Sequence, residues 1–178
     1  MNIEQVIVGS LETNCYILRK DKRGLIIDPG DEPEKILRAA SGLEIELILA
    51  THKHYDHMTA LRAVKKATKA QAAIHALDWT DGFDLRLTDG QILDFCREQI
   101  VVIHTPGHTP GGCCFLWSDI LFSGDTLFPN GPGATAFGGD EKAIYKSIRE
   151  KLLTLPDETK VFPGHGPSTT IGRERSLY

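Results

Sequence analysis

Short apolar runs separated by polar turns dominate the first third of the chain. Residues 3–8, 15–19 and 24–27 are rich in Val, Ile and Leu and are bounded by Gly, Asn and Asp, a pattern typical of short strands. A fourth apolar run, 45–50, predicts a buried strand. Between the third and fourth runs, apolar residues recur at helical spacing, and we expect a helix there with Asp31 as its N-cap.

The rest of the chain continues this mixture. Further strands are predicted at 72–75, 92–95, 100–105, 112–117, 120–122 and 160–162. Helices are predicted at 58–69 and from the N-cap Asp140 to Pro156, with a short turn or helix at 76–83. The Gly- and Pro-rich residues 125–139 predict a long loop. Strands that come in runs, without strict alternation with helices, favour two packed sheets with helices outside over one parallel sheet.

Composition and charge are those of an ordinary soluble globular protein. The 178 residues are 41% hydrophobic and 25% charged, and we expect a single domain over residues 1–178. A net charge of −4 and dispersed basic residues disfavour a nucleic-acid partner. No apolar run approaches the roughly 20 residues that span a bilayer, and the N-terminus lacks a signal-peptide pattern. We therefore expect no membrane partner and, by default, a cytoplasmic protein.

The chemistry is concentrated directly after the apolar run 45–50. His52, His54, Asp56 and His57 form the pattern His-x-His-x-Asp-His. Imidazole and carboxylate groups are ligand types that suit divalent zinc, iron and manganese. Scattered surface histidines explain so dense a cluster poorly, so it predicts metal binding.

Three more candidate ligands follow predicted strands later in the chain, namely His108, Asp125 and His165. Glycine lies next to each of them, and proline also lies on both sides of the two histidines. Glycine allows the backbone to approach a ligand closely, and proline restricts the loop to one conformation. Seven ligands exceed the four of a tetrahedral zinc, so we expect two sites of three ligands with one shared carboxylate. His75 and His104 lack this setting, and His104, which continues an apolar run, is expected to be structural.

Together these motifs resemble those of the metallo-β-lactamase-fold hydrolases and, within that superfamily, the small glyoxalase II-like (hydroxyacylglutathione hydrolase-like) enzymes. The resemblance extends over nearly the whole chain and rests on Asn14-Cys15-Tyr16, Ile27-Asp28-Pro29-Gly30, the motif at 52–57, and the segments 106–111, 122–128, 163–167 and 169–172. It implies a four-layer αβ/βα sandwich of two mixed sheets with helices outside and metals at one edge.

The resemblance also implies roles for the ligands. It assigns His52, His54 and His108 to one metal, Asp56, His57 and His165 to the other, and Asp125 to a bridge between them. Two divalent ions are expected, with Zn²⁺ favoured and Fe or Mn as alternatives. Asp56 and Asp125 are the candidate catalytic residues. Asp28 is a candidate carboxylate behind a ligand histidine, or else a plain turn residue.

The implied activity is hydrolysis of a small acyl thioester, an S-2-hydroxyacyl thiol such as S-lactoylglutathione, by a hydroxide shared between the metals. Hydrolysis of a lactone or another carboxylic ester on the same metals is the alternative. The acidic net charge disfavours a nuclease. The complete set of candidate ligands disfavours a protein that binds metal but has no catalytic activity.

Substrate contacts are the least defined part of the prediction. Tyr55, Phe128 and Phe137 are candidate substrate-binding residues, and 129–139 is either a lid over the metals or an inert surface loop. Full-length glyoxalase II enzymes carry a C-terminal helical domain that contacts glutathione, which we expect this chain to lack, and 129–139 contains no arginine. Recognition of glutathione and the oligomeric state therefore stay open.

Overall fold

The computed structural model describes residues 2–178, so that Met1, the first residue of the predicted domain, lies outside the described part. The first sheet contains six strands in chain order: β1 (Asn2–Val8), β2 (Thr13–Lys20), β3 (Arg23–Ile27), β4 (Glu44–Leu49), β5 (Gln71–His75) and β6 (Leu85–Leu87). The first three strands pair antiparallel, and β3 to β6 pair in parallel. Helices α1 (Pro33–Ala39) and α2 (Leu61–Thr68) supply two of the crossovers that parallel pairing requires.

The other strands are β7 (Ile92–Phe95), β8 (Glu98–His104), β9 (Cys113–Trp117), β10 (Ile120–Gly124), β11 (Leu127–Phe128), β12 (Gly131–Pro132), β13 (Lys160–Pro163) and β14 (Thr169–Thr170). Six of them form the second sheet in the order β14-β13-β10-β9-β8-β7, while β11 and β12 form a separate hairpin. Only β10 and β13 pair in parallel, so this sheet is also mixed. Helix α3 (Glu141–Ser147), its π-helical continuation Ile148–Leu152, and α4 (Ile171–Arg175) complete the fold.

Strand β2 explains how the sheets become layers. Its alternate side chains point to opposite faces: Cys15 and Ile17 join an apolar cluster with residues of α1 and α2. Tyr16 and Leu18 join a second cluster with Trp117 and other residues of the second sheet. A third cluster lies between the outer face of the second sheet and residues of α3 and α4. The three apolar interfaces separate four layers, helices–sheet–sheet–helices, which is the predicted αβ/βα sandwich.

The structure corrects the predicted start of two helices. Asp31 is not the N-cap of α1; its carboxylate accepts a hydrogen bond from the Glu32 N–H at 2.7 Å, and the helix begins after Glu32, which has a φ of 47°. Helix α2 begins at Leu61 rather than at residue 58, because Tyr55–His57 form a 3-10 turn of their own. In contrast, Asp140 caps α3 as predicted, accepting from the Ala143 N–H at 3.0 Å.

Short elements were missed wherever the apolar signal was weak. The predicted loop at 125–139 contains the β11–β12 hairpin, and β6, β14 and α4 were not predicted. These elements have two to five residues, so tertiary contacts rather than local periodicity decide them. Among residues 2–178, no helix combines the length and apolar character needed to cross a membrane.

Candidate metal centre

The seven predicted ligands lie together at one edge of the sandwich, beyond the ends of β4, β8, β10 and β13. Backbone groups clamp these loops to one another: the Cys113 N–H donates to the Thr51 carbonyl at 2.9 Å, and the Gly164 N–H donates to the Gly124 carbonyl at 2.8 Å. Loops that lie 62 and 40 positions apart in sequence are thus joined at one edge. The structure brings all seven side chains together, and their role as ligands stays a prediction.

The first group consists of His52, His54 and His108, whose ring nitrogens lie within 4.8 Å of one another. His54 Nδ1 is 2.8 Å from His108 Nε2 and 3.1 Å from His52 Nε2. A tetrahedral zinc with bonds of about 2.0–2.1 Å would set its ligand nitrogens about 3.3 Å apart. The convergence of three imidazoles is therefore close to that of a metal site.

The second group consists of Asp56, His57 and His165. His165 Nε2 lies 3.3 Å from His57 Nε2 and 3.2 Å from Asp56 Oδ2. His57 is fully buried, whereas the His165 side chain is 26% exposed. This group has one carboxylate, and its His165 is more exposed than the buried His52 of the first group.

Asp125 lies between the two groups. Its Oδ2 is 3.4 Å from His108 Nε2 and 3.6 Å from His165 Nε2, and its Oδ1 is 3.4 Å from His57 Nε2. Oδ1 is also buried and has no hydrogen-bond partner among residues 2–178. A buried, unpaired carboxylate oxygen is costly, and a divalent cation at this point would satisfy it. The donor set therefore fits a binuclear metal centre.

The outer nitrogens of four histidines are already held by protein groups. His108 Nδ1 lies 2.6 Å from the Ala134 carbonyl and His165 Nδ1 lies 2.9 Å from the Leu11 carbonyl. A carbonyl only accepts, so these rings carry their proton on Nδ1 and turn the Nε2 lone pair inward. His57 Nδ1 faces Asp28, and His52 Nδ1 faces the Thr51 hydroxyl. His54 differs, because its Nδ1 points inward.

Asp28, the candidate carboxylate behind a ligand histidine, lies close to both groups, and its role there stays a prediction. One oxygen accepts from the Thr51 N–H at 2.7 Å; the other accepts from the Thr51 hydroxyl at 2.8 Å and lies 3.0 Å from His57 Nδ1. Since Thr51 Oγ1 is 3.0 Å from His52 Nδ1, Asp28 supports one histidine of each group. Its φ of 52° is a conformation that costs energy for a residue other than glycine. The plain-turn interpretation does not account for these contacts.

The segment that carries His165 is fastened to the first sheet. Asn14 Nδ2 donates to the carbonyls of Pro163 at 3.0 Å and Gly166 at 2.9 Å, and the Tyr16 hydroxyl donates to Pro163 at 2.6 Å. A Cβ on Gly164 would lie 2.2 Å from Asp125 Oδ1. Glycine at this position therefore leaves the space in which the carboxylate sits.

Electrostatics differ between the groups. Burial, reinforced by neighbouring imidazoles, lowers the pKa of His52 and of His54. The hydrogen bond with Asp56 raises the pKa of His165. Burial alone would lower the pKa of His57, but the carboxylates of Asp28 and Asp125 outweigh it and raise that pKa.

The carboxylates respond in the opposite sense. Burial alone would raise the pKa of Asp56 and Asp125, but the neighbouring imidazoles, chiefly His165 for Asp56 and His57 for Asp125, outweigh it. Both carboxyl groups therefore have a pKa well below the usual range, and both offer charged oxygens to a cation.

Three predicted substrate contacts have different surroundings. The Phe128 ring lies beside His165, with centroids 6.4 Å apart. Tyr55 is 68% exposed and Phe137 is 83% exposed, so neither contributes to the core. Tyr55 lines a small hollow beside Asp56. Their role in binding substrate stays a prediction.

The remaining two histidines lie outside the three ligand groups found among residues 2–178. The rings of His75 and His104 stack on each other, with centroids 4.0 Å apart and an interplanar angle of 7°. His104 Nε2 is 2.9 Å from the Pro110 carbonyl, as expected for a structural histidine.

Sequence reasoning missed three polar residues that hold the ligands, namely Thr13, Thr51 and Asp78. Thr13 Oγ1 donates to Asp56 Oδ2 at 3.1 Å. Asp78 is a buried carboxylate that follows β5, the strand beside β4. A usable signal was present, since the carboxyl ends of neighbouring parallel strands meet at one edge of a sheet and polar residues there converge.

These features agree with a known protein family. The family model described as Metallo-beta-lactamase superfamily matches residues 8–165, which include all seven candidate ligands. The chain belongs to the metallo-beta-lactamase superfamily, and it is a metallo-hydrolase of that superfamily.

Several members are similar over almost their whole length. Hydroxyacylglutathione hydrolase GloC of Haemophilus influenzae is 35% identical, with 98% of this chain and 95% of GloC covered. The crystal structure of BLEG-1 B3 metallo-beta-lactamase superposes with a TM-score of 0.91 at 34% identity, covering 98% of this chain and 97% of that one. TTHA1623 in a di-iron-bound form superposes with a TM-score of 0.86 at 35% identity, covering 98% of each chain.

Proposed function

We propose that this protein is a glyoxalase II-like thioesterase that uses two divalent metal ions, with zinc favoured, to hydrolyse small S-2-hydroxyacyl thioesters such as S-lactoylglutathione. The observation that carries the proposal is the pair of three-ligand groups joined by Asp125, whose Oδ1 is buried without a hydrogen-bond partner among residues 2–178. Similarity to hydroxyacylglutathione hydrolase GloC supports the choice of substrate class.

The residues of the chain would divide the work between them. His52, His54 and His108 would hold one metal, Asp56, His57 and His165 the other, and Asp125 both. When bound, the two ions supply Lewis acidity that polarises a carbonyl and lowers the pKa of water to about 7. Asp56 is held by Thr13 at 3.1 Å and faces His165, so its charged carboxylate can orient the attacking water.

The leaving group favours a thioester. Three side chains hold the ligands from outside, namely Asp28, Thr13 and Thr51. Both oxygens of Asp28 accept hydrogen bonds from Thr51, one from its N–H and one from its hydroxyl. The Thr13 hydroxyl donates to Asp56. None of these three groups is free to donate a proton to a departing alkoxide or amine. A thiol has a pKa of about 8.5 and leaves as thiolate with little assistance. Thioester cleavage therefore makes the smallest demand on this centre.

The surroundings of the second group suit a small acyl group. Phe128 lies beside His165, and Tyr55 and Leu11, which are 68% and 50% exposed, lie in the segments that carry Asp56 and contact His165. Apolar side chains beside a polar metal centre are typical of binding sites for small organic substrates. We propose Tyr55, Phe128 and Phe137 as contacts for the acyl or thiol part of the substrate.

The test couples metal analysis to a substrate screen on one preparation. We expect close to two metal ions per chain, turnover of S-lactoylglutathione, loss of turnover after removal of metal by a chelator, and recovery with Zn²⁺, Fe²⁺ or Mn²⁺. Recovery with each ion in turn identifies the metal that supports turnover. Thioester turnover that persists at full rate in metal-depleted protein would contradict the proposal.

Hydrolysis of a lactone or another ester is the second candidate, because the same ligands could activate either carbonyl. Because this chain is similar to BLEG-1, which is named a B3 metallo-beta-lactamase, a β-lactam should be tested beside the thioester and the lactones. We expect kcat/KM for S-lactoylglutathione to exceed that for lactones and β-lactams at least tenfold. The reverse order would favour the second candidate.

A further inference from the structure

Asp78 is a buried carboxylate next to the metal centre that is not one of the seven candidate ligands. It ends the 3-10 turn Ala76–Asp78 that follows β5, and it is 1% exposed. A buried carboxylate is costly unless its oxygens are hydrogen-bonded or paired. Its partners therefore indicate why it is present.

Both oxygens of Asp78 accept hydrogen bonds from two different loops. Oδ2 accepts from the Lys53 N–H at 3.1 Å and from the Thr109 hydroxyl at 2.6 Å. Oδ1 accepts from the Gly111 N–H at 2.8 Å and lies 3.7 Å from Lys53 Nζ. One carboxylate thus joins the loop after β4 to the loop after β8.

The donors flank the ligands of the first group. Lys53 lies between His52 and His54, and Thr109 directly follows His108. All three histidines of that group are therefore within one residue of a donor to Asp78. In the second group, by contrast, Thr13 donates to the candidate ligand Asp56 itself and not to Asp78.

The close approach is built into the backbone. A Cβ on Gly111 would lie 2.6 Å from Asp78 Cγ and 2.5 Å from its backbone nitrogen. Any other residue at 111 would push the carboxylate away from the loop that carries His108. Glycine here and the buried acid form one structural unit.

We infer that Asp78 is the positioning residue of the first metal site, which holds the loops of His52, His54 and His108 in register so that their nitrogens converge. The competing explanation is that Asp78 only stabilises the fold. The inference rests on the two-metal centre of the proposed function but not on its thioester substrate.

Site-specific metal affinity separates these explanations. In a His165→Ala background the first group remains intact, and in a His54→Ala background the second group remains intact. We expect Asp78→Ala to weaken Zn²⁺ binding by apoprotein about 10- to 100-fold in the first background, as loss of a carboxylate behind a ligand usually does. In the second background we expect a change below about threefold, measured by titration calorimetry or competition with a chromophoric chelator.

Asp84→Ala is the matched control. Asp84 also accepts from a backbone N–H, that of Ala72 at 2.8 Å, and from a lysine, Lys65 at 2.6 Å, but it lies near the start of β5 rather than beyond its end. Its loss should lower the thermal midpoint of the apoprotein without a site-specific change in affinity. Equal losses of affinity in both backgrounds, or losses that match those of Asp84→Ala, would overturn the inference.

A milder variant keeps the test open if Asp78→Ala does not fold. Thr109→Val removes a single donor and preserves side-chain volume, and we expect about a fivefold loss of affinity in the His165→Ala background. An unchanged affinity for this variant would likewise count against Asp78. A wild-type protein that binds no metal would instead refute the two-metal centre itself, which distinguishes the two failures.

Discussion

The two ligand groups of this centre are built differently. The first consists of three imidazoles, with His52 buried and the pKa of His52 and His54 lowered by burial. The second combines Asp56 with His57 and His165, whose pKa values are raised by carboxylates. Burial therefore disfavours the charged form of two histidines in the first group, whereas carboxylates favour the charged form of two histidines in the second.

The two groups also differ in the contacts that hold their ligands in place. The first group contains no carboxylate, so the convergence of its imidazoles depends on groups behind them, among which Asp78 and Thr51 contact their loops. In the second group a carboxylate contacts an imidazole directly, with His165 Nε2 3.2 Å from Asp56 Oδ2. Asp125 contacts both groups, whereas Asp28 contacts His57 directly and His52 through the Thr51 hydroxyl.

Loss of Asp125 should have the largest effect, because it removes the carboxylate shared by both groups. We expect Asp125→Ala to lower metal content at both sites and to reduce kcat/KM by well over the roughly 10- to 100-fold typical of an outer partner. Metal analysis and steady-state kinetics measure this. The control is Asp94→Ala on the exposed part of β7, which should leave both values unchanged. If Asp125→Ala retained two tightly bound metals, Asp125 would not be a ligand shared by both groups.

Substitution of Asp28 tests whether one carboxylate behind the ligands supports metal binding at both groups. Asp28→Ala should weaken Zn²⁺ binding about 10- to 100-fold at each group, unlike the one-sided effect expected for Asp78. Asn tolerates the left-handed conformation at a φ of 52°, so Asp28→Asn should fold with less loss of stability. Titration in the His165→Ala and His54→Ala backgrounds gives the two affinities. An effect confined to the second group would show that the Thr51 contact with His52 does not contribute to metal binding.

Gly164→Ala should act on the second group and on the bridge. The added Cβ would lie 2.2 Å from Asp125 Oδ1 and 2.6 Å from His57 Cε1, and such overpacking costs about 1–3 kcal/mol. We expect a loss of one metal of two, with the first retained. Gly131→Ala is the matched control, because within the described chain nothing lies within 4 Å of its Cβ position. Loss of both metals in Gly164→Ala would mean that the first group also depends on this glycine.

The smallest effects are expected at the apolar side chains near the centre. Phe128→Ala should raise KM several-fold while both metals stay bound, because Phe128 lies beside His165. Phe137 is 83% exposed, so Phe137→Ala should change the free energy of unfolding by no more than about 0.5 kcal/mol. Any rise in KM for that variant then reports contact with substrate. An unchanged KM in both variants would remove these residues from the substrate site.

Much of the site could be predicted from sequence because its ligands lie in short local patterns. The spacing of His52, His54, Asp56 and His57 places four ligands within six residues, and the glycines and prolines around His108 and His165 mark loops that hold one geometry. Such patterns need no knowledge of distant contacts. The predicted strands were confirmed for the same reason, since their apolar runs are local.

The supporting residues could not be predicted with equal certainty. Asp28 left two interpretations open, and Asp78 was overlooked within a segment predicted only as a turn or helix. Both acids look like ordinary turn residues in sequence, because their donors, Thr51 for one and Thr109 for the other, lie 23 and 31 residues away.

The seven candidate ligands, the longer strands and the helix that Asp140 caps could be read from the sequence, since each depends on residues close together in the chain. Which oxygen of Asp125 faces which histidine, and how two buried carboxylates support the centre, followed only from the tertiary structure. Those relations arise only when loops from both sheets meet at one edge, where distance and burial, not spacing in sequence, set the interactions.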